Sequence, residues 1–489
     1  MSHSKKKPEK SNNISRRKAL SGFGALAGLS VVGSSCDTSN KTTNINTGKY
    51  SSSEVYRQIH EKVNNTVFID THEHLMDESD RLSETPPKNL VNDWSILFSH
   101  YIDSDLVSAG MSYEDMEKFK SKEVDPIDKW PLMEPYWPYV KNTGYGQASA
   151  ISIRDLYGIE NLDKTTIPEL QQKFDNLLKP GLYKYVLQEK AKIESCHVNS
   201  LTHTINETES PLLLMQDLRI DGFFSWFNIK EMANAFSLQV TDLDDWYKVI
   251  NAWFNKYGDY AIGVKAAIAY SRDIDFLPTE YEEAAPVFKR MLNGDELKHD
   301  QRKKLEDHLF WYAVDKSVEY NLPVKIHTGY YAGENNMPLS RVAGNTEAAS
   351  DLCRHKPEAT FVFFHIAYPY YEELLAVSKQ YTNAVLDMCW AWIINPVASV
   401  DFLKKFIVTC PNNKVLTLGG DYIPVEPILG HTVMARQGVI QSLCELVDQQ
   451  WISLDEALKL TDDLMHQNAR KIFDMPNKEK YLKSHSWEI

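Results

Sequence analysis

Thr66-Val67-Phe68-Ile69-Asp70-Thr71-His72-Glu73-His74 is the stretch from which the fold is read. An apolar run as long as a short strand ends in two histidines two residues apart. On an extended backbone such positions point to the same side, so both imidazoles can converge on one cation. Three later apolar runs also end in polar ligands: Val324-Lys325-Ile326-His327, Phe361-Val362-Phe363-Phe364-His365 and Leu416-Thr417-Leu418-Gly419-Gly420-Asp421. Side chains borne by the ends of separate strands meet at the mouth of a closed parallel barrel. For any one of these histidines a structural role is the ordinary reading; four apolar runs ending alike argue for a site.

Working outward, short apolar runs alternate with long helical patterns, which is the signature of parallel βα units. Strands are expected at residues 66–70, 198–203, 219–224, 261–267, 324–327, 361–365, 384–387 and 415–419, and Trp246, Val249, Ile250 and Trp253 recur at helical spacing between two of them. The expected fold is α/β, a (β/α)8 TIM barrel. The first interval, about 125 residues, is far longer than one helix needs. A large, mostly helical insertion after strand one is therefore expected at about residues 77–158. It carries Trp94, Phe98, Tyr101, Trp130, Tyr136, Trp137, Tyr139 and Tyr145. Most of these suit the insertion's own core, while its emergence from a strand's C-terminal end places it over the mouth as a lid. Lys141-Asn142-Thr143-Gly144-Tyr145 is a turn-forming stretch that could reach substrate.

At 489 residues with 43% hydrophobic side chains, the chain is too apolar and too varied for disorder or a fibre. Its 53 Lys and Arg against 67 Asp and Glu give a net charge of -14, which argues against a nucleic-acid partner. The basic residues cluster only at the start, where Ser15-Arg16-Arg17-Lys18 precedes an uncharged run from Ala19 to Val32. This reads as a twin-arginine export signal, with an apolar run shorter than the ~20 residues that span a bilayer. Gly33-Ser34-Ser35-Cys36 resembles a loose lipoprotein cleavage box, with ordinary cleavage nearby as the alternative. The expected organisation is a leader at 1–36, a linker at 37–50 and the barrel at 51–489. The expected location is periplasmic or membrane-anchored, touching the membrane only through a lipid on Cys36.

The cysteines at 196, 353, 389, 410 and 444 form no CxxC, and small buried hydrophobes are expected there. His299, His308, His355 and His485 read as solvated, and His203 and His466 as structural.

The HxH after strand one, His after strands five and six and Asp after strand eight together resemble the amidohydrolase superfamily, over roughly residues 60–475. Lys325-Ile326-His327-Thr328-Gly329, His365-Ile366-Ala367-Tyr368-Pro369-Tyr370 and Gly419-Gly420-Asp421 are similar to its amidohydrolase-related branch, which includes uronate isomerases and metal-dependent decarboxylases. The resemblance implies that His72, His74 and Asp421 bind a divalent metal, with His327 a ligand or an electrophilic assistant. It implies catalytic roles for Asp421, His327 and His365, and one Zn2+ per chain, with Mn2+, Fe2+ or Co2+ admitted. Lys265 matches either a substrate-contacting lysine or a carboxylated bridge between two metals. Tyr270 and Arg272 are expected to touch substrate; Arg219, Trp226, Tyr330, Trp390 and Glu426 could shape the pocket, and Asp387 could support a ligand histidine. His466-Gln467-Asn468-Ala469-Arg470-Lys471-Ile472-Phe473 resembles the branch's closing helix.

The function expected is an exported metal-dependent hydrolase that activates water to cleave an amide, ester or lactone bond of a small molecule. The alternatives are a lyase such as a decarboxylase, a uronate-isomerase-like enzyme, and a metal-dependent binding protein without turnover. Against the isomerase, Gly419-Gly420-Asp421-Tyr422-Ile423-Pro424 lacks the arginine that follows the matching Asp there.

Overall fold

The computed structural model describes residues 53–83, 90–225 and 227–485. The leader, Cys36, the linker and Trp226 lie outside the described residues. Eight parallel strands pair in chain order: β1 (Phe68–Glu73), β2 (Ile193–Val198), β3 (Leu214–Arg219), β4 (Gly263–Ala266), β5 (Val324–His327), β6 (Phe361–Phe364), β7 (Ala384–Asp387) and β8 (Val415–Leu416). The segment after β8 nearly closes the ring onto β1: Thr71 N–H donates to the Leu418 carbonyl at 2.9 Å, and Asp421 N–H to the His72 carbonyl at 2.9 Å. Helices between strands cover the outside, so β5, β6 and β7 are buried along their whole length and read as near-continuous apolar runs. The helix Leu243–Tyr257 starts at Asp242, whose carboxylate accepts from Asp245 N–H, and it buries Trp246, Val249 and Ile250. The fold is the expected (β/α)8 barrel.

Two strands lie earlier than expected. Val198 and Arg219 are the last residues of β2 and β3, not the first. The cause is a polar barrel interior. Lys325 Nζ on β5 stands 2.8 Å from the Asp217 carboxylate on β3 and 3.1 Å from His197 Nδ1 on β2, all three fully buried. These inward polar residues interrupt the apolar pattern by which a strand is recognised. His203 falls in the exposed loop beyond β2.

The connection from β1 to β2 is a set of helices, including Trp94–Phe98, Ile102–Ser108, Gly144–Tyr157 and Ile167–Leu177. Trp94 centres its core, with ring centroids 5.7 Å from Phe98, 5.7 Å from Phe119 and 6.4 Å from Trp130. Tyr139 is exposed. Tyr101 and Tyr145 instead lie against Trp390, beyond β7, at 4.4 and 6.3 Å. The insertion thus has its own core and also reaches the barrel mouth. Among the described residues, no helix is long and apolar enough to cross a membrane.

Candidate metal centre

The end of β1 delivers two imidazoles to one oxygen: Nε2 of His72 and of His74 lie 3.2 and 2.9 Å from Asp421 Oδ1. His74 Nδ1 is 2.8 Å from the Asn199 carbonyl. A carbonyl only accepts, so Nδ1 carries a hydrogen and Nε2 is the nitrogen that faces the carboxylate. A ring nitrogen and a carboxylate oxygen at that distance are held together by positive charge between them, a proton or a metal ion. His72 Nδ1 is buried without a hydrogen-bond partner. The donor atoms of His72, His74 and Asp421 all lie within 4.8 Å of one another. Such a set fits a divalent cation of the zinc type.

Burial pushes the imidazoles of His72 and His365 well below the usual histidine range, and that of His327 down to about 3. The neutral ring is the ligating form. Burial opposes ionisation of Asp421, but His72 and His74 outweigh it and hold the carboxyl well below its usual range.

Asp421 is reached through two glycines because β1 and the turn after β7 crowd the loop. A Cβ on Gly420 would lie 1.9 Å from Glu73 Oε1, and one on Gly419 2.8 Å from Cys389 Sγ. Asp421 itself has φ +63°. Asp70 accepts from His72 N–H at 3.1 Å and Gly420 N–H at 3.3 Å, while Glu73 accepts from Tyr422 N–H at 2.7 Å. Burial raises Asp70 to about 6, and burial together with Asp70 raises Glu73 well above its usual range. The two acids therefore share a proton while they fasten this loop to β1. The Tyr101 hydroxyl donates to the Asp421 carbonyl, and His100 stacks on Tyr101 at 4.2 Å while accepting from Ile423 N–H at 3.1 Å.

The other expected site residues divide. His365 Nε2 lies 3.8 Å from Asp421 Oδ2, and neither ring nitrogen has a hydrogen-bond partner. His327 stands beside it, with ring centroids 4.4 Å apart, but its Nε2 is 3.1 Å from the Tyr330 carbonyl and it falls outside the clustered donor atoms. Tyr270 packs on His327 at 4.6 Å. Lys265 Nζ is buried 3.9 Å over the Phe364 ring without a hydrogen-bond partner, and burial lowers it to about 8. Arg272 is not brought to the site: Glu306 at 2.9 Å, Asp307 at 2.7 Å and Asp275 at 3.4 Å hold its guanidinium. Arg219 is bound to Asp221 at 3.0 Å, and Glu426 to Arg81 at 2.9 Å. Asp387 accepts from the Thr71 hydroxyl at 2.6 Å and Cys389 N–H at 2.8 Å, so it supports strand ends and not a ligand histidine.

Several residues were missed or misread. Cys389 is buried as expected, yet its Sγ is 4.0 Å from Asp421 Oδ2. Asp70 and Glu73 flank the HxH directly, and that position was the available signal. His100 and Tyr101 sit in a helical insertion that carries no strand-end cue. His308, expected to be solvated, bridges the Tyr247 hydroxyl and the Thr279 carbonyl, and His355 is half-buried against Trp311.

Two cavities open between the insertion and the loop after β5. One, about 280 Å3, is lined by Tyr101, Asp105, Tyr145, Tyr330, Tyr331 and Glu334 among others. The second, about 310 Å3, includes His100, Asp103, Lys120 and Glu334. Lys120 is already paired with Asp103. Among the described residues, no arginine lines either cavity.

A family model described as amidohydrolase matches residues 197–475. Among solved structures, the chain is similar to glucuronate isomerase from Caulobacter crescentus, with TM-score 0.70 and 16% identity over 86% of this chain and 94% of that one. It is similar to uronate isomerase from Thermotoga maritima at TM-score 0.68 and 15% identity, covering 86% and 97%. It also resembles a candidate metal-dependent hydrolase from Lactobacillus casei ATCC 334 at TM-score 0.60 and 14% identity, covering 86% and 98%. At such identities the likeness is one of fold. No curated protein matches the chain.

Proposed function

This chain belongs to the amidohydrolase family, and on that premise we propose that it is a metal-dependent hydrolase cleaving an amide, ester or lactone bond of a small molecule. The observation that carries the reading is the division of labour within Asp421. Its Oδ1 faces both β1 histidines, which leaves Oδ2 to accept a proton. His72, His74 and Asp421 would hold one divalent ion, with zinc the best match to this donor set and manganese, iron or cobalt compatible with it. When bound, such an ion acidifies water to a pKa of about 7 and polarises a carbonyl group.

The chain's own groups supply the rest. Asp421 Oδ2 takes the proton of the attacking water and returns it to the leaving group. His365, neutral and without a partner on either nitrogen, has an N–H to offer the oxygen on which charge develops. Tyr101 fixes the Asp421 backbone and, with Trp390, walls that side from water. Tyr270 and Lys265 complete the substrate side in this reading, with Lys265 the buried positive group.

The fold likeness favours a second reading, sugar-acid isomerisation. A sugar acid needs a clamp for its carboxylate, a task suited to arginine. Here the cavities carry Asp105 and Glu334 beside the Asp103–Lys120 pair, and Arg272 is already committed to three acids. Hydrolysis of a neutral or cationic substrate agrees better with that lining. We also propose export to the periplasm, supported by Ser15-Arg16-Arg17-Lys18, with Cys36 the lipid attachment point; the mass of the mature N-terminal peptide tests it.

The enzymatic test is turnover of lactone, ester, amide and hexuronate panels in oxygen-18 water. One labelled oxygen in a newly formed carboxylate supports hydrolysis. Carbon dioxide release, or aldose-to-ketose conversion without bond cleavage, overturns it.

A further inference from the structure

We propose that the chain holds a second, sulfur-containing cation site, formed by His365 Nε2, Cys389 Sγ and Asp421 Oδ2, on the opposite edge of the carboxylate from His72 and His74. The three donor atoms lie within 4.8 Å of one another, with His365 and Cys389 at 3.8 and 4.0 Å from Oδ2. Bond lengths to tetrahedral zinc put sulfur, nitrogen and oxygen donors roughly 3.3–3.6 Å apart. The two separations from Oδ2 are a few tenths of an ångström wider, and the His365–Cys389 separation is at most 4.8 Å. Cadmium, larger and softer, suits the wider spacing better than zinc, and either ion draws the side chains inward.

One feature points to a ligand. His365 is fully buried, and neither of its ring nitrogens meets a hydrogen-bond partner. A thiol 4.0 Å from Asp421 leaves both of those nitrogens unanswered, whereas a cation between the three groups engages Nε2. His365, Cys389 and Asp421 follow different strands, and left-handed turns, with φ of +63°, +43° and +63°, bring them together. Gly419 allows the approach, because any Cβ there would strike Cys389 Sγ.

On coordination Cys389 releases its thiol proton to solvent and binds as thiolate. Soft ligands select thiophilic ions, so this position prefers zinc or cadmium over manganese or magnesium. It shares Asp421 with the first site and so rests on the metal reading given above, though not on hydrolysis: an ion here occupies Asp421 Oδ2 and His365 Nε2, so filling this site inhibits the hydrolysis proposed above.

The test is cadmium titration of the chelator-stripped full chain, following bound metal and the near-ultraviolet thiolate-to-metal absorption band. About two ions per chain with that band are expected. Cys389→Ser should bind about one and lose the band; His72→Ala should bind about one and keep it. A cadmium NMR resonance typical of mixed sulfur, nitrogen and oxygen coordination in the unmutated chain supports the same conclusion without any variant. One ion per chain without the band overturns this inference alone, as does a band that survives in folded Cys389→Ser. Absence of any divalent binding overturns both this site and the hydrolase reading.

Discussion

Asp421→Asn separates a cation site from an ordinary ion pair. If the β1 imidazoles are neutral and the carboxylate waits for a metal, the metal-free protein carries lone pair against lone pair at 2.9 Å from His74, whose Nδ1 hydrogen the Asn199 carbonyl fixes. Asparagine can turn its amide N–H toward those lone pairs and make one or two neutral hydrogen bonds, each contributing about 0.5–1.5 kcal/mol. It also removes a buried charge. The metal-free variant should therefore equal or exceed the metal-free parent by about 1 kcal/mol, an upward Tm shift on the order of 1–3 °C for a chain this long. Metal affinity should fall, and turnover should drop by roughly 10²–10⁴ with loss of the proton acceptor. The assay is thermal unfolding of both chelator-stripped proteins beside turnover of the loaded forms. Were the carboxylate a partner of protonated histidines, its removal would leave buried positive charge and cost about 3–5 kcal/mol. A Tm drop of that size in the metal-free variant would refute the tautomer argument.

Asp387 has its carboxyl raised to about 7, chiefly by burial. An acid whose folded pKa exceeds its unfolded value lends stability while protonated and loses it as pH rises through that interval. Between pH 4 and pH 7, about the two limiting values, metal-free protein should thus lose stability, and Asp387→Asn should flatten the slope in Tm-against-pH measurements; an unchanged slope would clear Asp387. Lys325→Met should cost about 3–5 kcal/mol in urea unfolding by leaving Asp217 uncompensated, with Lys325→Met/Asp217→Leu recovering most of it; no recovery would place the cost elsewhere. Tyr101→Phe, which removes only the donor to the Asp421 carbonyl, should lower kcat about fivefold while leaving metal affinity within about twofold; a larger loss of metal than of kcat would make Tyr101 a binding element.

What is legible in the sequence follows from burial. β5 and β7 are identified to the residue, because each is a short, mostly apolar run that stops at a polar residue, His327 or Asp387. β2 and β3 are displaced because His197 and Asp217 point into a polar interior that periodicity treats as loop. At the site, His72, His74 and Asp421 are legible because each ends a strand. Arg272 lies in the segment that follows β4, but Glu306 and Asp307 on the helix His299–Glu319 capture it, and that pairing is settled only by packing. Tyr101, His100 and Cys389 approach the site from an insertion or a turn, and no local pattern marks them.

The arrangement of buried acids explains why a dication suits this mouth. Asp217 is balanced by Lys325. Asp387 has its carboxyl raised to about 7, and Asp70 and Glu73 hold one proton between them. Asp421 and one charge of the Asp70–Glu73 pair are left, set against one buried amine, Lys265, lowered to about 8. One amine does not offset two carboxylate charges in a buried site. A dication at His72, His74 and Asp421 supplies the missing positive charge while keeping Lys265 free to meet a substrate oxygen, whereas a proton on Asp421 would remove the base that the chemistry needs. The same balance accounts for the loop being tied to β1 through Asp70 and Glu73. The acids that position Asp421 also set the charge its cation must offset.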